Sequence, residues 1–243
     1  MAAAVGPVVV ADLAVEELQV TGEGLRTENC WIKKYLTEDE VRRLSEVVRR
    51  AEQRTSGEIV PVIVDRSTGI GHVSLMLTLF SSLAFFLLEI PIQTYFFSPL
   101  WLSLSPLMVF VFWGISLILA RKPFWQRILT HPREQSQQVW NRAELEFSRN
   151  KIGRTSEGTG ILIFVSVMER KAVILADTGI SKHYHPEVWQ SLVKEFSASL
   201  KAGRWYQGFE KAILEAGKIL EEKLPIESHD TNELQNSLRI ISS

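Results

Sequence analysis

Residues 160–176, GILIFVSVMERKAVILA, carry the pattern that decides the fold of this chain. Gly160 to Val167 is a continuous apolar run, which is typical of a strand buried on both faces. Met168 to Lys171 is a short polar turn, and Ala172 to Ala176 is a second apolar run. The spacing predicts a β-hairpin, although the turn lacks the Asn-Gly pair that favours tight hairpins.

A helix and another strand precede this hairpin. Thr37 and Glu40 form a capping box, and apolar residues then recur at helical spacing until Gly57, a natural stop. Residues 59–64 predict a strand. Pro61 lies inside that strand and lacks the backbone N–H that a ladder needs, so we expect an edge or an irregular position there.

Three further helices are predicted around the hairpin. Residues 132–150 carry apolar side chains four apart, Pro186 is well placed to begin a helix that ends at Gly203, and a last helix begins near Gly208. The order is helix, strand, insertion, helix, two strands and two helices. This order predicts an α/β domain with one mixed sheet and helices on its faces.

Two apolar runs form the insertion. Residues 72–92 and 99–120 contain no Lys, Arg or Asp, and Glu89 is their only carboxylate. Each run reaches the about 20 residues that a helix needs to cross a bilayer. We therefore predict a transmembrane helical hairpin over residues 70–120. An alternative places Glu89 at mid-depth in a transport pathway, but no basic residue is nearby to pair with it.

The basic residues predict the orientation of this hairpin. The connector 89–101 has no Lys or Arg, whereas basic residues flank both runs, at Arg66, Arg121, Lys122, Arg127 and Arg133. Because cytoplasmic flanks carry the excess of Lys and Arg, we expect a multi-pass protein of the plasma membrane with both termini cytoplasmic. Residues 29–69 and 121–225 would then form one discontinuous domain on the cytoplasmic side.

The remaining segments show weaker patterns. Residues 1–28 are treated as an N-terminal extension, in which Val8 to Val10 is either a short strand or part of a flexible tail, and residues 226–243 as a polar C-terminal tail. The formal net charge of −1 gives no reason to expect a nucleic-acid partner. Cys30 is the only cysteine, so no intramolecular disulfide is expected.

Carboxylates at strand ends are the main candidates for a binding site. Asp65 follows the first strand and Asp177 follows the third, while Glu58 and Glu157 precede strands. If the first and third strands run parallel, Asp65 and Asp177 share one sheet edge, where two carboxylates would suit Ca²⁺ or Mg²⁺. The competing interpretation is that these residues are solvated turn residues.

Three other motifs have simpler interpretations. The loop 153–160 runs from helix into strand, the reverse of a phosphate-binding loop, so we interpret it as a connection. Asp177-Thr178-Gly179 matches the signature of aspartic proteases, but those enzymes need two such aspartates. His183 and His185 could both face a metal from an extended segment, and they are equally suited to a loop.

Most of the chain outside the insertion resembles the TPM-domain family. The resemblance covers residues 35–65 and 133–225. It rests on LTEDEVRRLSEVVRRAEQRTSGEIVPVIV, TGILIFVSVMERKAVILADTGI and VWQSLVKEFSASLKAGRWYQGFEKAILEAGKILEEKLP. It implies a three-layer α/β/α domain. Family members are associated with thylakoid photosystem repair or with receptor regulation in animals, and some bind Ca²⁺ and show weak acid phosphatase activity. This chain departs from the family pattern in two ways. It has an internal insertion, and it has Thr159-Gly160 where Asn-Gly is common in the family.

These observations lead to two expectations for function. The first is a non-catalytic, membrane-anchored factor that assembles, repairs or regulates another membrane protein, with self-association left open. The alternative is a weak phosphatase that uses Ca²⁺ or Mg²⁺ held by Asp65 and Asp177. No catalytic residue is assigned from the sequence.

Overall fold

The chain forms two compact units, described here from a computed structural model. The structure describes residues 11–12, 30–67, 75–84, 87, 110–119, 130–155, 158–226, 234 and 236–242. The first unit contains Met1–Ser67 and Ser136–Ser243, and the second contains Thr68–Gln135. The second unit corresponds to the predicted insertion and its flanks.

The described residues of the first unit form five strands and several helices. The strands are β1 (Ala11–Asp12), β2 (Glu58–Val64), β3 (Gly160–Ser166), β4 (Lys171–Ala176) and β5 (Arg239–Ile241). The α-helices are α1 (Glu38–Glu52), α2 (Pro132–Arg149, which begins in the second unit), α3 (Thr178–Ser181), α4 (Pro186–Lys201) and α5 (Trp205–Lys223). Two 3-10 helices cover Cys30–Lys34 and Ile152–Arg154.

The five strands form one mixed sheet in the order β1-β4-β3-β2-β5. β3 and β4 are antiparallel, which confirms the predicted hairpin, and β2 is parallel to both β3 and β5. All seven residues of β3 are buried, as its continuous apolar run predicted. The predicted α/β class with a mixed sheet is therefore confirmed.

Side-chain alternation along the strands supplies two separate cores. Ile161, Ile163 and Val165 of β3 pack with α1, α4 and α5 on one face of the sheet. Leu162 and Phe164 of the same strand pack with α2 on the other face. Because successive strand residues point to opposite faces, one apolar strand supplies both cores. The result is the three-layer arrangement that the family resemblance implied.

The helix boundaries follow from caps and spacing. α1 begins after Thr37, whose hydroxyl accepts from the Glu40 backbone N–H at 3.3 Å while the Glu40 carboxylate accepts from the Thr37 N–H at 2.8 Å. This confirms the capping box. The last long helix begins at Trp205, three residues before Gly208, because the chain turns tightly at Gly203, where φ is +73°.

Pro61 lies on the half of β2 that β5 does not cover. Asp65 donates its backbone N–H to Ile241 of β5 at 3.3 Å, and alternation places the Pro61 nitrogen on the same side of β2. β5 pairs only with residues 62–64. Ile59, also on that open side, donates its N–H to the Glu52 carboxylate at 2.9 Å. The predicted edge character of Pro61 is therefore confirmed for this part of the strand.

Both chain ends contribute strands that the sequence did not predict. Ala11 and Asp12 pair antiparallel with Ala172 and Lys171 of β4. Val8 to Val10, the proposed strand, lies outside the described residues. The segment 226–243, treated as a polar tail, supplies β5 to the sheet, so that treatment is wrong for Arg239–Ile241.

The second unit is described only in part. Residues 75–84 and 110–119 are helical. Within the described part of the chain, no helix has the length and hydropathy that crossing a membrane requires. Much of the two predicted spans, including Glu89 and the connector, lies outside the described residues.

Candidate functional site

Asp65 and Asp177 do not form the predicted shared site. β2 is parallel to β3, and β3 is antiparallel to β4, so β2 and β4 run in opposite directions. Their carboxyl ends therefore lie at opposite ends of the sheet, about 20 Å apart for six residues at about 3.3 Å each. The prediction of a common metal site at one edge is wrong because its premise of parallel strands is wrong.

Asp65 contacts its neighbour along the chain. Its Oδ1 accepts from the Arg66 backbone N–H at 2.7 Å, and its Oδ2 lies 3.6 Å from the Arg66 guanidinium. Its carbonyl accepts from the Met168 N–H at 2.9 Å. These contacts are those of a turn residue that joins the end of β2 to the β3–β4 turn.

Asp177 is buried and caps the short helix α3. It is 3% exposed, and its Oδ1 accepts from the Thr178 backbone N–H at 2.6 Å. Gly158, with φ at +67°, approaches so closely that an added Cβ would lie 3.4 Å from Asp177 Oδ2. Gly153 and Gly158 thus lie against this carboxylate. Asp177 is a turn residue, as the competing interpretation expected, but it is buried and not solvated.

A largely buried polar cluster lies at the Asp65 end of the sheet, and no sequence motif predicted it. It consists of Ser67, Ser166 and Glu169. Both Glu169 oxygens accept from the Ser67 backbone N–H at 3.1 Å, and Ser166 Oγ donates to Glu169 Oε2. Ser67 Oγ donates to Ser166 Oγ at 2.8 Å. The one available signal was Ser166, a hydroxyl within an otherwise apolar strand.

This Ser67–Ser166–Glu169 cluster has the residue types of a nucleophile and a base, but not their accessibility. Ser166 is 0% exposed and Glu169 is 5% exposed, so a substrate cannot approach the hydroxyl in this conformation. Glu169 already accepts a backbone N–H, which fixes Ser67 against the hairpin turn. The cluster is therefore suited to fix the backbone of Ser67, where the chain leaves the first unit.

Metal ligands are not assembled elsewhere in the described ranges. No group of three or more His, Cys, Asp or Glu side chains there could hold a metal ion. His183 and His185 are exposed in the segment between α3 and α4, and His185 makes no side-chain capping bond to α4. Glu157, another proposed strand-end carboxylate, lies outside the described residues.

Two surface grooves accompany the helices. One, of about 460 Å³, lies between α1 and α5 and is lined by charged residues such as Arg50 and Lys211 around Leu214. Several of these charges are already paired: Lys211 contacts Glu195 at 2.7 Å. The other, of about 380 Å³, lies beside β5 and has an apolar floor.

Comparison with known proteins identifies the domain. The family model described as the TPM domain matches residues 125–219, which span α2, β3, β4, α4 and most of α5. Residues 125–219 therefore match the TPM domain. This match confirms the resemblance drawn from the sequence for that part of the chain. α1, β2 and the apolar insertion lie outside the matched residues.

A solved structure shares the fold. It is the NMR structure of BA42 protein from the psychrophilic bacterium Bizionia argentinensis, with a TM-score of 0.54 and 21% sequence identity. The similarity covers 86% of this chain and 98% of that chain. At this identity it shows a common fold and nothing about activity. A comparison with curated proteins gives no match.

Proposed function

We propose that this chain is a membrane-anchored TPM-domain protein that assembles, repairs or regulates another membrane protein without catalysis of its own. The observation that carries the proposal is the inverted polarity of the helical residues in the second unit. Their large apolar side chains are exposed, and their hydroxyl side chains are turned inward.

The first helical stretch shows this inversion clearly. Leu75, Leu79 and Phe80 are 68%, 67% and 56% exposed. Thr78 and Ser81 are half-buried on the other face, and Ser81 Oγ donates to the Thr78 carbonyl at 3.0 Å. In a water-soluble helix the apolar side chains would be the ones turned inward.

The second stretch has the same arrangement. Phe110 and Ile118 are 69% and 65% exposed, whereas Ser116 is 2% exposed. Ser116 Oγ donates to the Phe112 carbonyl at 2.7 Å, so the hydroxyl is satisfied within its own helix. Small and polar residues inside, apolar residues outside and internally bonded hydroxyls are the pattern expected of helices in lipid.

The exposed side chains need an apolar environment. Among the described residues of the stretches 75–87 and 110–119, twelve large apolar side chains are exposed. Full burial of such a side chain contributes roughly 1.5–3 kcal/mol, and these side chains are 39–69% exposed, so covering the whole set would contribute on the order of 10–20 kcal/mol. A bilayer supplies such an environment on all sides of a helix, and the absence of Lys, Arg and Asp from residues 72–92 and 99–120 is consistent with it.

The non-catalytic part of the proposal rests on the state of the buried carboxylates. Asp177 caps α3, and Glu169 holds the Ser67 backbone. Each carboxylate is therefore engaged in the fold. The alternative phosphatase required Asp65 and Asp177 in one site, and their positions at opposite ends of the sheet remove the support for that arrangement.

Membrane insertion is tested on the full-length protein in cells. We expect the protein to stay in the membrane fraction after alkaline carbonate extraction. In a Cys30→Ser background, Thr94→Cys should react with an impermeant thiol reagent added to intact cells. In the natural sequence, Cys30 should react only after the membrane is opened. Release by carbonate, or external labelling of Cys30, would contradict the proposed anchoring or topology.

Absence of catalysis is tested on the purified full-length protein. We expect no turnover of a generic phosphomonoester above the buffer rate, with or without Ca²⁺ or Mg²⁺. The decisive variant is Asp177→Asn, with Asp65→Asn as the matched strand-end control and thermal unfolding as the check on folding. Turnover that Asp177→Asn abolishes in a folded protein would refute the non-catalytic assignment.

A further inference from the structure

The C-terminal part of α2 holds a cluster of arginines around one buried carboxylate. Glu146 is 3% exposed, and its Oε1 lies 3.2 Å from the Arg142 guanidinium and 3.4 Å from the Arg149 guanidinium. The Asn150 amide donates to the Glu146 carbonyl at 2.7 Å, and Arg239 of β5 donates to the Asn150 side-chain oxygen. These contacts join three guanidinium groups to a single negative charge.

Cations outnumber carboxylates in this part of the molecule. The sequence from residue 139 to residue 154, together with Arg239, has five Lys or Arg and two Glu, which is a formal charge of +3 in a chain whose net charge is −1. The helix dipole accounts for a cation in the last turn of α2, such as Arg149, but it does not reach Arg142, two turns earlier, or Arg239 on a strand. The excess of positive charge is therefore a feature of this surface and not of the helix end alone.

The arginines of this surface are held in place and still have unused donors. Within the described part of the chain, the Nε atoms of Arg142 and Arg239 have no hydrogen-bond partner. The side chains of Arg142 and Arg149 are 23% and 59% exposed, so a ligand can reach their guanidinium groups. Because Glu146 already orders these two side chains, a ligand that pairs with them loses less conformational entropy. Guanidinium groups of this kind recognise oxyanions, by charge and by paired N–H donors.

An exposed leucine lies on the same face of α2 as two of these arginines. Leu145 is 42% exposed, three residues after Arg142 and four before Arg149. Residues three and four apart are neighbours on the surface of a helix. Arg142, Leu145, Arg149 and Arg239 therefore form an arginine surface that includes an apolar side chain. Arginine is enriched at protein interfaces, which also cover apolar area.

The position of the arginine surface favours a protein partner over a lipid headgroup. Ser136 is where α2 enters the first unit, and Arg149 follows thirteen residues later. At about 1.5 Å per residue the two positions lie about 20 Å apart along the helix axis. Basic clusters that bind lipid headgroups lie immediately beside the residues that join a domain to its membrane segment. An extended partner chain is not restricted to that position.

We propose that the arginine surface binds an acidic segment of the membrane protein that this chain assists. Asp or Glu side chains of that segment pair with the guanidinium groups of Arg142, Arg149 and Arg239, and one of its apolar side chains covers Leu145. The inference rests on the proposed function and adds to it the chemistry of the partner. The opposite charges also speed association, because a basic surface attracts an acidic chain before the two are in contact.

Peptide binding to the purified full-length protein in mild detergent tests this surface. The probe is a short fluorescein-labelled peptide of Glu, Ser and Leu, and fluorescence anisotropy measures its Kd. We expect saturable binding that weakens as salt is raised, and no binding of the matched peptide in which Lys replaces Glu. Arg149→Gln leaves Glu146 its contact with Arg142 and should raise the Kd by about two- to fivefold. Leu145→Ser should raise it by a similar factor, because less apolar area is covered.

The matched controls are Arg50→Gln and Leu214→Ser, which remove an exposed arginine and an exposed leucine from the groove between α1 and α5. Both controls should leave the Kd unchanged, and thermal unfolding should show that all four variants are folded. Equal weakening in the controls, or an unchanged Kd in Arg149→Gln, would overturn the proposal. Displacement of the peptide by anionic lipid added to the micelles would also overturn it, because the surface would then be a headgroup site.

The carboxylates that precede β5 in the sequence are the competing occupant from this chain. Glu227, Asp230 and Glu233 lie outside the described residues. If their joint replacement by Gln and Asn tightened peptide binding by more than about fivefold, the chain's own carboxylates would be the competitor and the proposal would be wrong. Carbonate extraction is an independent measurement: release from the membrane with intact peptide binding would contradict the anchoring, whereas membrane retention without peptide binding would contradict the docking surface.

Discussion

Removal of the Glu169 carboxylate should destabilise the first unit strongly. In Glu169→Ala the Ser67 N–H and the Ser166 hydroxyl lose their acceptor. A buried polar group without a partner costs about 1–3 kcal/mol. Ser166 is 0% exposed and keeps only its contact with Ser67 Oγ at 2.8 Å, whereas Ser67 is half-buried and its backbone N–H recovers part of the loss from water. We therefore expect a loss of about 2–4 kcal/mol.

Thermal unfolding of the full-length protein in mild detergent measures this loss. For a protein of this size, 1 kcal/mol corresponds to about 2–4 °C, so the midpoint should fall by about 4–16 °C. Glu221→Ala is the control, because its side chain is 45% exposed and lies 4.0 Å from Arg54. Exposed ion pairs of this kind contribute about 0–1 kcal/mol, so the control should change the midpoint little.

A double-mutant cycle distinguishes the loss of the Ser166–Glu169 hydrogen bond from a general effect of losing a charge. If the argument is right, Ser166→Ala should cost much less in the Glu169→Ala background than in the natural protein, because its partner is already gone. A midpoint for Glu169→Ala within the error of the natural protein would refute the reasoning. So would strict additivity of the two substitutions.

Three further changes have definite expected outcomes. Gly160→Ala should destabilise by about 1–3 kcal/mol, because its Cβ would meet the backbone of Ile152, with the carbonyl carbon at 3.1 Å. An unhindered glycine-to-alanine change in a strand would instead stabilise by about 0.5–1 kcal/mol, and denaturant titration measures the difference. Burial raises the pKa of the Tyr35 phenol above its usual range. The neutral form is therefore favoured in the fold, and stability should be complete below pH about 10 and fall as the pH rises through the folded-state value, with less decline in Tyr35→Phe. Asp177→Ala should cost about 0.5–2 kcal/mol through the lost cap on Thr178, whereas Asp177→Ser should retain most of the stability, as unfolding curves would show.

The regular elements of the first unit could be predicted because their signals are local. The capping box at Thr37, the apolar run of β3 and the proline at the start of α4 each act within a few residues. The hairpin could be predicted for the same reason, since a short turn joins its two strands. β5 could not, because three residues in a polar segment carry no strand pattern until β2 is present to pair with them.

For the two candidate carboxylates, the sequence predicted the local position but not the distance between them. Asp65 and Asp177 were both correctly placed at strand ends, but their separation depends on whether β2 and β4 run in the same direction. Sequence order does not specify strand direction across an insertion. The Ser67–Ser166–Glu169 cluster could not be predicted, because Ser67 lies 99 residues before Ser166 in the chain.

The sequence by itself determined the class of the fold, the hairpin at its centre, the TPM resemblance and the apolar character of the insertion. These follow from composition and periodicity, which are properties of short stretches of chain. Only the tertiary structure decided that the carboxyl ends of β2 and β4 oppose each other, that Glu169 anchors Ser67, and that both chain ends complete the sheet. Each of these depends on hydrogen bonds between distant residues, whose direction and register exist only once the strands have paired.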